Sequence, residues 1–257
     1  LSEEEFIAKL VQELEDTIAA EGADTIAAMI AEPVQGAGGV TVPPDGYWQA
    51  IQKTLKKHDI LLIADEVING FGRTGQMFGE QTFGFTADIA SFAKGITSGY
   101  IPLGGSAVSD EIFDTMSSAD RMFMHGFTYS GHPVACAVAL RNIQILEDED
   151  LATNARVGGD ALRAELHTLL DDHAHVGDIR GIGQMTLVEM VADRETKAKY
   201  DPAQRMGEKL TVATRDKGLI VRCNNDGVAF APPLTLTVED ARIVAQAAAA
   251  AIEEILV

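Results

Sequence analysis

At 257 residues the chain is long enough to bury roughly 70–75% of its unfolded surface, as one large domain or two small ones. Its 46% hydrophobic content, 24 Gly and 8 Pro are ordinary for a globular protein. The net charge of −19, from 39 acidic against 20 basic residues, repels phosphate backbones and anionic membranes, so nucleic acid and membranes are excluded as expected partners. The same acidity is also a mark of salt-adapted hosts. Two cysteines, Cys136 and Cys223, are too few for a disulfide framework or a metal cluster and predict reduced thiols in a cytoplasmic setting.

In chain order, Ser2 and Glu5 form a capping-box pattern, and Phe6, Ile7, Leu10, Val11, Leu14 and Ile18 follow with helical period. No signal peptide precedes this helix, no apolar run is long enough to span a bilayer, and there is no initiator Met. That opening predicts a fragment that begins inside a domain. Thr25 to Val34 reads as a buried strand, Gly36 to Gly39 as a loop, and Tyr47 to Lys57 as a helix with Tyr47, Trp48, Ile51 and Leu55 on one face. Ile60 to Ala64 is a continuous apolar run, the pattern of a parallel strand covered on both faces. Asp88 to Ala93 and Gly104 to Ser109 are further short strand candidates. Alternating strands and helices predict an α/β layered sheet, in which ligands collect at the carboxyl ends of the strands. Asp65, the Glu32-Pro33 pair and Lys94 each fall just beyond such an end.

A long helix is expected from Gly131 to Glu147, with Pro133 in its first turn. The acidic cluster Glu147 to Asp150 marks a domain boundary. Beyond it the pattern predicts a helix carrying Leu162, Leu166, Leu169 and Leu170, a strand from Met185 to Val191, and a helix ending near Gly218. A strand or hairpin over Leu219 to Phe230 comes next. An Ala-rich final helix, capped by Thr237 and Asp240, closes the chain.

Lys94, in Ser91-Phe92-Ala93-Lys94-Gly95, is a charge directly after an apolar strand. An isolated lysine there is more often one that snorkels to solvent. The sharper reading is an imine-forming amine whose neutral form is favoured by desolvation. Asp65, at another strand terminus, would complement it, because a pyridoxal ring needs a carboxylate to keep its nitrogen protonated.

The blocks AEPVQGAGG (Ala31 to Gly39), LLIADEVINGFGRTGQMFG (from Leu61), AKG (Ala93 to Gly95), HGFTYSGHPVACA (His125 to Ala137) and the closing LIVR and APPLTLT resemble, in order, the class III aminotransferases. The resemblance covers essentially the whole chain. It implies fold type I, an α/β architecture: part of the mostly parallel central sheet with flanking helices over residues 1–147, the C-terminal part of the large cofactor-binding domain. Residues 148–257 would be a C-terminal α+β small domain. The implied cofactor is pyridoxal 5'-phosphate (PLP), and the implied assembly is a homodimer with a shared active site.

The same resemblance makes Lys94 the Schiff-base lysine and the acid/base that moves a proton between the substrate Cα and the cofactor C4′. It makes Asp65 the partner of the pyridine nitrogen and Val67 a residue packed on one ring face, which is close to plain core packing. Thr128 would bind the phosphate of the neighbouring subunit's cofactor, although a lone turn threonine more often bonds its own backbone. Gln35 would lie near the ring, Glu32 would be a structural carboxylate, and Arg222 would recognise the substrate carboxylate through a bidentate pair. Where ornithine and γ-aminobutyrate enzymes of the family carry a glutamate, this chain has Ala37. That departure resembles the ω-amine:pyruvate transaminases and implies an amine or amino-acid donor with a small keto-acid acceptor such as pyruvate. An aminomutase, a decarboxylase, or a non-catalytic fragment needing a missing amino-terminal portion are the alternatives.

The remaining motifs carry no chemistry. The six histidines make no paired-ligand spacing, so no metal site is expected. Gly70, Gly72 and Gly75 around Arg73 predict a tight loop, not a dinucleotide fingerprint. The Ser/Gly loop that would cradle the cofactor phosphate and the aromatic residue opposite Val67 are absent from these residues.

Overall fold

In the computed structural model, which describes residues 1–118, 123–224 and 227–256, the first helix, α1 (Glu3–Glu21), starts at the capping box expected of it. The Ser2 Oγ accepts from the Glu5 N–H at 3.2 Å, and the Glu5 carboxylate accepts from the Ser2 N–H at 2.8 Å. Glu3, Glu4 and Glu5 place negative charge at the positive end of the helix dipole. Two compact units make up the chain. The first comprises Leu1–Val34, Pro43–Phe71 and Gln76–Glu149; the second comprises Gln35–Val42, Gly72–Gly75 and Asp150–Val257.

Within the first unit, α1 is followed by β1 (Ala28–Ala31), α2 (Tyr47–Lys57), β2 (Leu61–Asp65), α3 (Gly79–Phe83), β3 (Ile89–Phe92), β4 (Gly105–Val108), α4 (Asp110–Met116) and α5 (Pro133–Asp148). The strands form one sheet in the order β1-β2-β3-β4, with β1–β2 and β2–β3 parallel and β3–β4 antiparallel. The core gathers Ile18, Trp48, Ile51, Leu55, Ile60, Leu62, Ala64 and Phe85. Trp48 stacks on Phe85 with ring centroids 4.5 Å apart, and its indole N–H donates to the Pro33 carbonyl at 3.1 Å. Burying each large side chain contributes about 1.5–3 kcal/mol. One expectation changes here. The run from Ile60 to Ala64 is expected to be covered on both faces, yet while Ile60, Leu62 and Ala64 are buried, Leu61 is exposed and Ile63 half-buried. The strand therefore alternates, with one face packed and the other largely open.

The second unit contains α6 (Leu151–Leu170), β5 (Val176–Ile182), β6 (Met185–Met190), α7 (Met206–Asp216), β7 (Arg222–Asn224), β8 (Gly227–Phe230) and α8 (Val238–Ile255). Its sheet is antiparallel throughout, in the order β5-β6-β8-β7. Leu162, Leu166 and Leu170 of α6, Leu210 of α7 and Ile252 of α8 are fully buried in one core. Thr237 caps α8 through a reciprocal pair with Asp240. Helix α6 meets the β5–β6 turn backbone to backbone: a Cβ on Gly159 would lie 1.7 Å from the Gly183 carbonyl oxygen. The tight loop around Arg73 also belongs to this unit. The guanidinium donates to the Gln184 and Pro232 carbonyls at 3.3 and 2.5 Å, and burial pulls its pKa down to about 10. No helix among the described residues is long and apolar enough to cross a membrane.

Candidate active site

The carboxyl ends of β2 and β3 bring the first two candidates together. Asp65 is the last residue of β2, and its Cα partner on β3 is Ser91. Neighbouring strands lie only about 4.8 Å apart, so Asp65 sits beside the strand end that Lys94 follows. The Asp65 Oδ1 accepts from the Val67 N–H at 3.1 Å and from the Ser91 hydroxyl at 3.4 Å. Among the described residues, the other carboxylate oxygen has no donor, and no cation pairs with it. Val67 is half-buried, so the structure keeps it next to the carboxylate through its own N–H.

Glu66 goes the other way. It is fully buried, and its carboxylate oxygens accept from the N–H groups of Gly79 and Glu80, each at 2.9 Å. Burial pushes its pKa up, against the pull of those two backbone donors. Its own N–H donates to the Ser91 carbonyl at 2.8 Å, and its carbonyl accepts from the Gly70 N–H at 2.9 Å. Glu66 is thus the tie that closes the loop after β2 onto the start of α3. Asn69 adds a second tie: its buried amide accepts from the Val34 N–H at 3.0 Å and donates to the Val34 carbonyl at 3.1 Å. The two adjacent acids differ because strand alternation aims one outward and the other into the core.

Lys94 begins a single 3-10 turn (Lys94–Thr97) directly after β3, with φ +40°. A non-glycine residue in this left-handed region costs on the order of 1–2 kcal/mol. The side chain is exposed, and among the described residues its amine makes no hydrogen bond or ion pair. The expectation of a desolvated amine is therefore not met by this chain's own residues. Gly95 allows the turn to approach the loop after β2, since a Cβ there would sit 3.0 Å from Phe71 Cβ and 3.3 Å from the Gly70 carbonyl oxygen.

The other candidates lie on other segments of the chain. Thr128 belongs to the first unit and is exposed in a turn closed by a Ser130 N–H to Phe127 carbonyl bond of 2.9 Å and a Phe127 N–H to Ser130 Oγ bond of 3.1 Å. Ser130, not Thr128, makes the local backbone bond. Gln35 and Arg222 belong to the second unit. Gln35 forms an isolated antiparallel bridge with Thr41, and Arg222 opens β7 opposite Ala229 with its side chain exposed. Ser91 and Asn69 were not singled out from the sequence, because strand register and a bond spanning 35 positions leave no local signature.

The pair at the strand ends has defined chemical capacity. A carboxylate with one oxygen free can accept a ring N–H⁺, and an unpaired amine can condense with a carbonyl and release water. Both functions belong to one aromatic aldehyde cofactor, and the residues present fit it.

A family model described as aminotransferase class-III matches residues 2–252. A solved (S)-enantioselective omega-transaminase from Thermomicrobium roseum superposes with a TM-score of 0.98 at 58% identity, covering 100% of this chain and 57% of that one. An amine transaminase from an uncultivated Pseudomonas species, solved in the PLP-bound form, gives 0.94 at 44% identity, covering 98% of this chain and 57% of that one. A putrescine–pyruvate aminotransferase of Pseudomonas aeruginosa is 44% identical over 236 residues, 92% of this chain and 51% of its own. The chain spans about half the length of the curated relatives it matches.

Proposed function

This chain belongs to the class-III aminotransferase family, and on that footing we propose that the protein transfers an amino group from an amine or ω-amino acid to a small keto acid such as pyruvate. The observation that carries this reading is the pairing of a half-satisfied carboxylate, Asp65, with an unpaired amine, Lys94, at the ends of adjacent parallel strands. Pyridoxal 5'-phosphate, when bound, supplies the electron sink that stabilises negative charge at the substrate Cα. Asp65 would hold the ring nitrogen in its protonated form through its free oxygen. Lys94 would be the amine that attaches the cofactor, and its Nζ would carry the proton released from the substrate Cα. Val67 would pack against the ring.

The remaining roles follow the family pattern. Thr128 binds the phosphate of the neighbouring subunit's cofactor, which makes the working unit a homodimer. The exposed apolar side chains on either side of it, Phe127 at 71% and Tyr129 at 74%, support a surface that a second subunit covers. Gln35 borders the ring and Arg222 binds the substrate carboxylate. The absence of a masking glutamate at Ala37 favours pyruvate over 2-oxoglutarate as acceptor. Residues 1–147 represent the C-terminal part of the large cofactor-binding domain and residues 148–257 the small domain, in a cytoplasmic enzyme.

A second reading also has an observation behind it. The coverage of half of each relative, together with the exposed Lys94, favours a chain that is inactive until further polypeptide completes the site. One experiment separates the readings. The full-length gene product and the 257-residue chain are each incubated with the cofactor, an amine donor and pyruvate. The proposal expects alanine from the full-length product, with a loss of at least about 10³-fold in Lys94→Ala, in line with removal of an acid–base group. Alanine from the full-length product only would assign the second reading to the short chain. Carbon dioxide or an isomerised amine in place of alanine would refute transamination.

A further inference from the structure

We propose that Asn142, on α5 and outside any reacting contact, is a positioning residue that holds the strained turn presenting Lys94. This rests on the reading that Lys94 carries the cofactor. The turn is unusual in having a left-handed non-glycine residue at each end, Lys94 with φ +40° and Ser98 with φ +48°. Such strain persists only where the surroundings over-determine the backbone.

Asn142 supplies that determination. Its Nδ2 donates to the Gly95 carbonyl at 2.8 Å and to the Ile96 carbonyl at 3.0 Å, and its Oδ1 accepts from the Ser98 hydroxyl at 2.7 Å. One amide therefore engages three of the four residues after Lys94: Gly95, Ile96 and Ser98. Thr97 closes the far side by donating its hydroxyl to the Ile101 carbonyl at 2.7 Å. On the opposite side the turn abuts Phe71 and Gly70, in the loop that Glu66 ties down after Asp65. The turn is thus wedged between α5 and the loop that follows the anchoring carboxylate. Asn142 fixes where the Lys94 backbone stands relative to Asp65, although it touches neither. Catalysis is steep in this distance, with about 10²-fold lost for a displacement near 1 Å.

The isosteric variant Asn142→Asp isolates the effect. It keeps an acceptor for Ser98 but sets a carboxylate oxygen against the Gly95 and Ile96 carbonyls. In the cofactor-free full-length gene product, amide exchange at Gly95 to Ser98 is expected to quicken at least tenfold. In the loaded protein, the induced circular dichroism of the bound cofactor is expected to fall at least twofold, and kcat by about 10²-fold, while KM for pyruvate stays within about twofold. Ser98→Ala, which removes one of the three bonds, shifts the same readouts in the same direction by less. A merely structural role would lower the melting temperature and leave the cofactor signal and the kcat to KM split unmoved; that result overturns the inference. Should Asn142→Asp fail to fold, Asn142→Ala and Ser98→Ala must show the ordered changes, and wild-type signals in both overturn it equally. Failure of the underlying reading registers separately: the wild type would then show no cofactor signal that disappears in Lys94→Ala.

Discussion

The sheet of the first unit, β1-β2-β3-β4, leaves much of its outer surface open, with Ile30 of β1 at 63% and every residue of β4 exposed. In the sheet of the second unit, β5-β6-β8-β7, the inner strand is instead covered: β6 is buried at every position but Glu189, and the fully buried leucines of α6 share its core. The contrast is confined to the sheets: Val134 and Leu140 of α5 are exposed in the first unit, and Val212 of α7 and Ile243 of α8 are exposed in the second. Open apolar surface on this scale is where proteins meet ligands or other chains. The unit with the open sheet is also the one that holds Asp65, Lys94 and Thr128, the residues proposed to meet the cofactor.

The contrast can be broken first from the closed side. Gly159→Ala places a Cβ 1.7 Å from the Gly183 carbonyl oxygen, and neither is the end of a flexible side chain. The expected cost is about 3 kcal/mol or more, read as loss of hydrogen-exchange protection in α6 and the β5–β6 hairpin. Trp48, the one tryptophan of the chain, lies in the core of the first unit. Its fluorescence in native conditions should be unchanged; a shifted emission would show that the two cores depend on each other.

From the open side, Asn69→Ala leaves the Val34 N–H and carbonyl unpaired in a buried position. A loss of about 2–3 kcal/mol is expected, this time visible as a lower urea midpoint by Trp48 fluorescence. A midpoint within error of the wild type would mean the Val34 tie is dispensable.

The smallest effect concerns pH. Burial raises the Glu66 pKa above its ordinary value of 4.5. The folded state therefore holds this proton more tightly than the unfolded state. Its contribution to stability is full below 4.5, declines as pH rises through the window above that value, and is constant beyond the raised folded pKa. Glu66→Gln should remove this slope, measured as urea midpoints across that window. A slope that survives the substitution would assign it to another group.

Periodicity and capping made much of the fold legible. The Ser2–Glu5 and Thr237–Asp240 boxes mark α1 and α8, and the apolar run before Asp65 marks β2. Strand β5 was not legible, because Gly177, Asp178, Arg180 and Gly181 interrupt any alternation, and its pairing with β6 is imposed by tertiary packing. The fold expectation of a mostly parallel sheet of type I holds, with β4 as its antiparallel edge. At the site, strand alternation alone separates Asp65 from Glu66. It could not reveal that Glu66 caps the start of α3 or that Ser91 supports Asp65, since register is set between strands and not along them.

Lys94 is proposed as the amine through which the cofactor is held. The full-length gene product loaded with pyridoxal 5'-phosphate, reduced with borohydride and mapped by mass spectrometry, tests it most directly. A single phosphopyridoxyl group is expected on the peptide containing Lys94, absent when Lys94 is alanine. A label spread over surface lysines such as Lys53, Lys57 and Lys209, or one that persists elsewhere at full stoichiometry in Lys94→Ala, would contradict it.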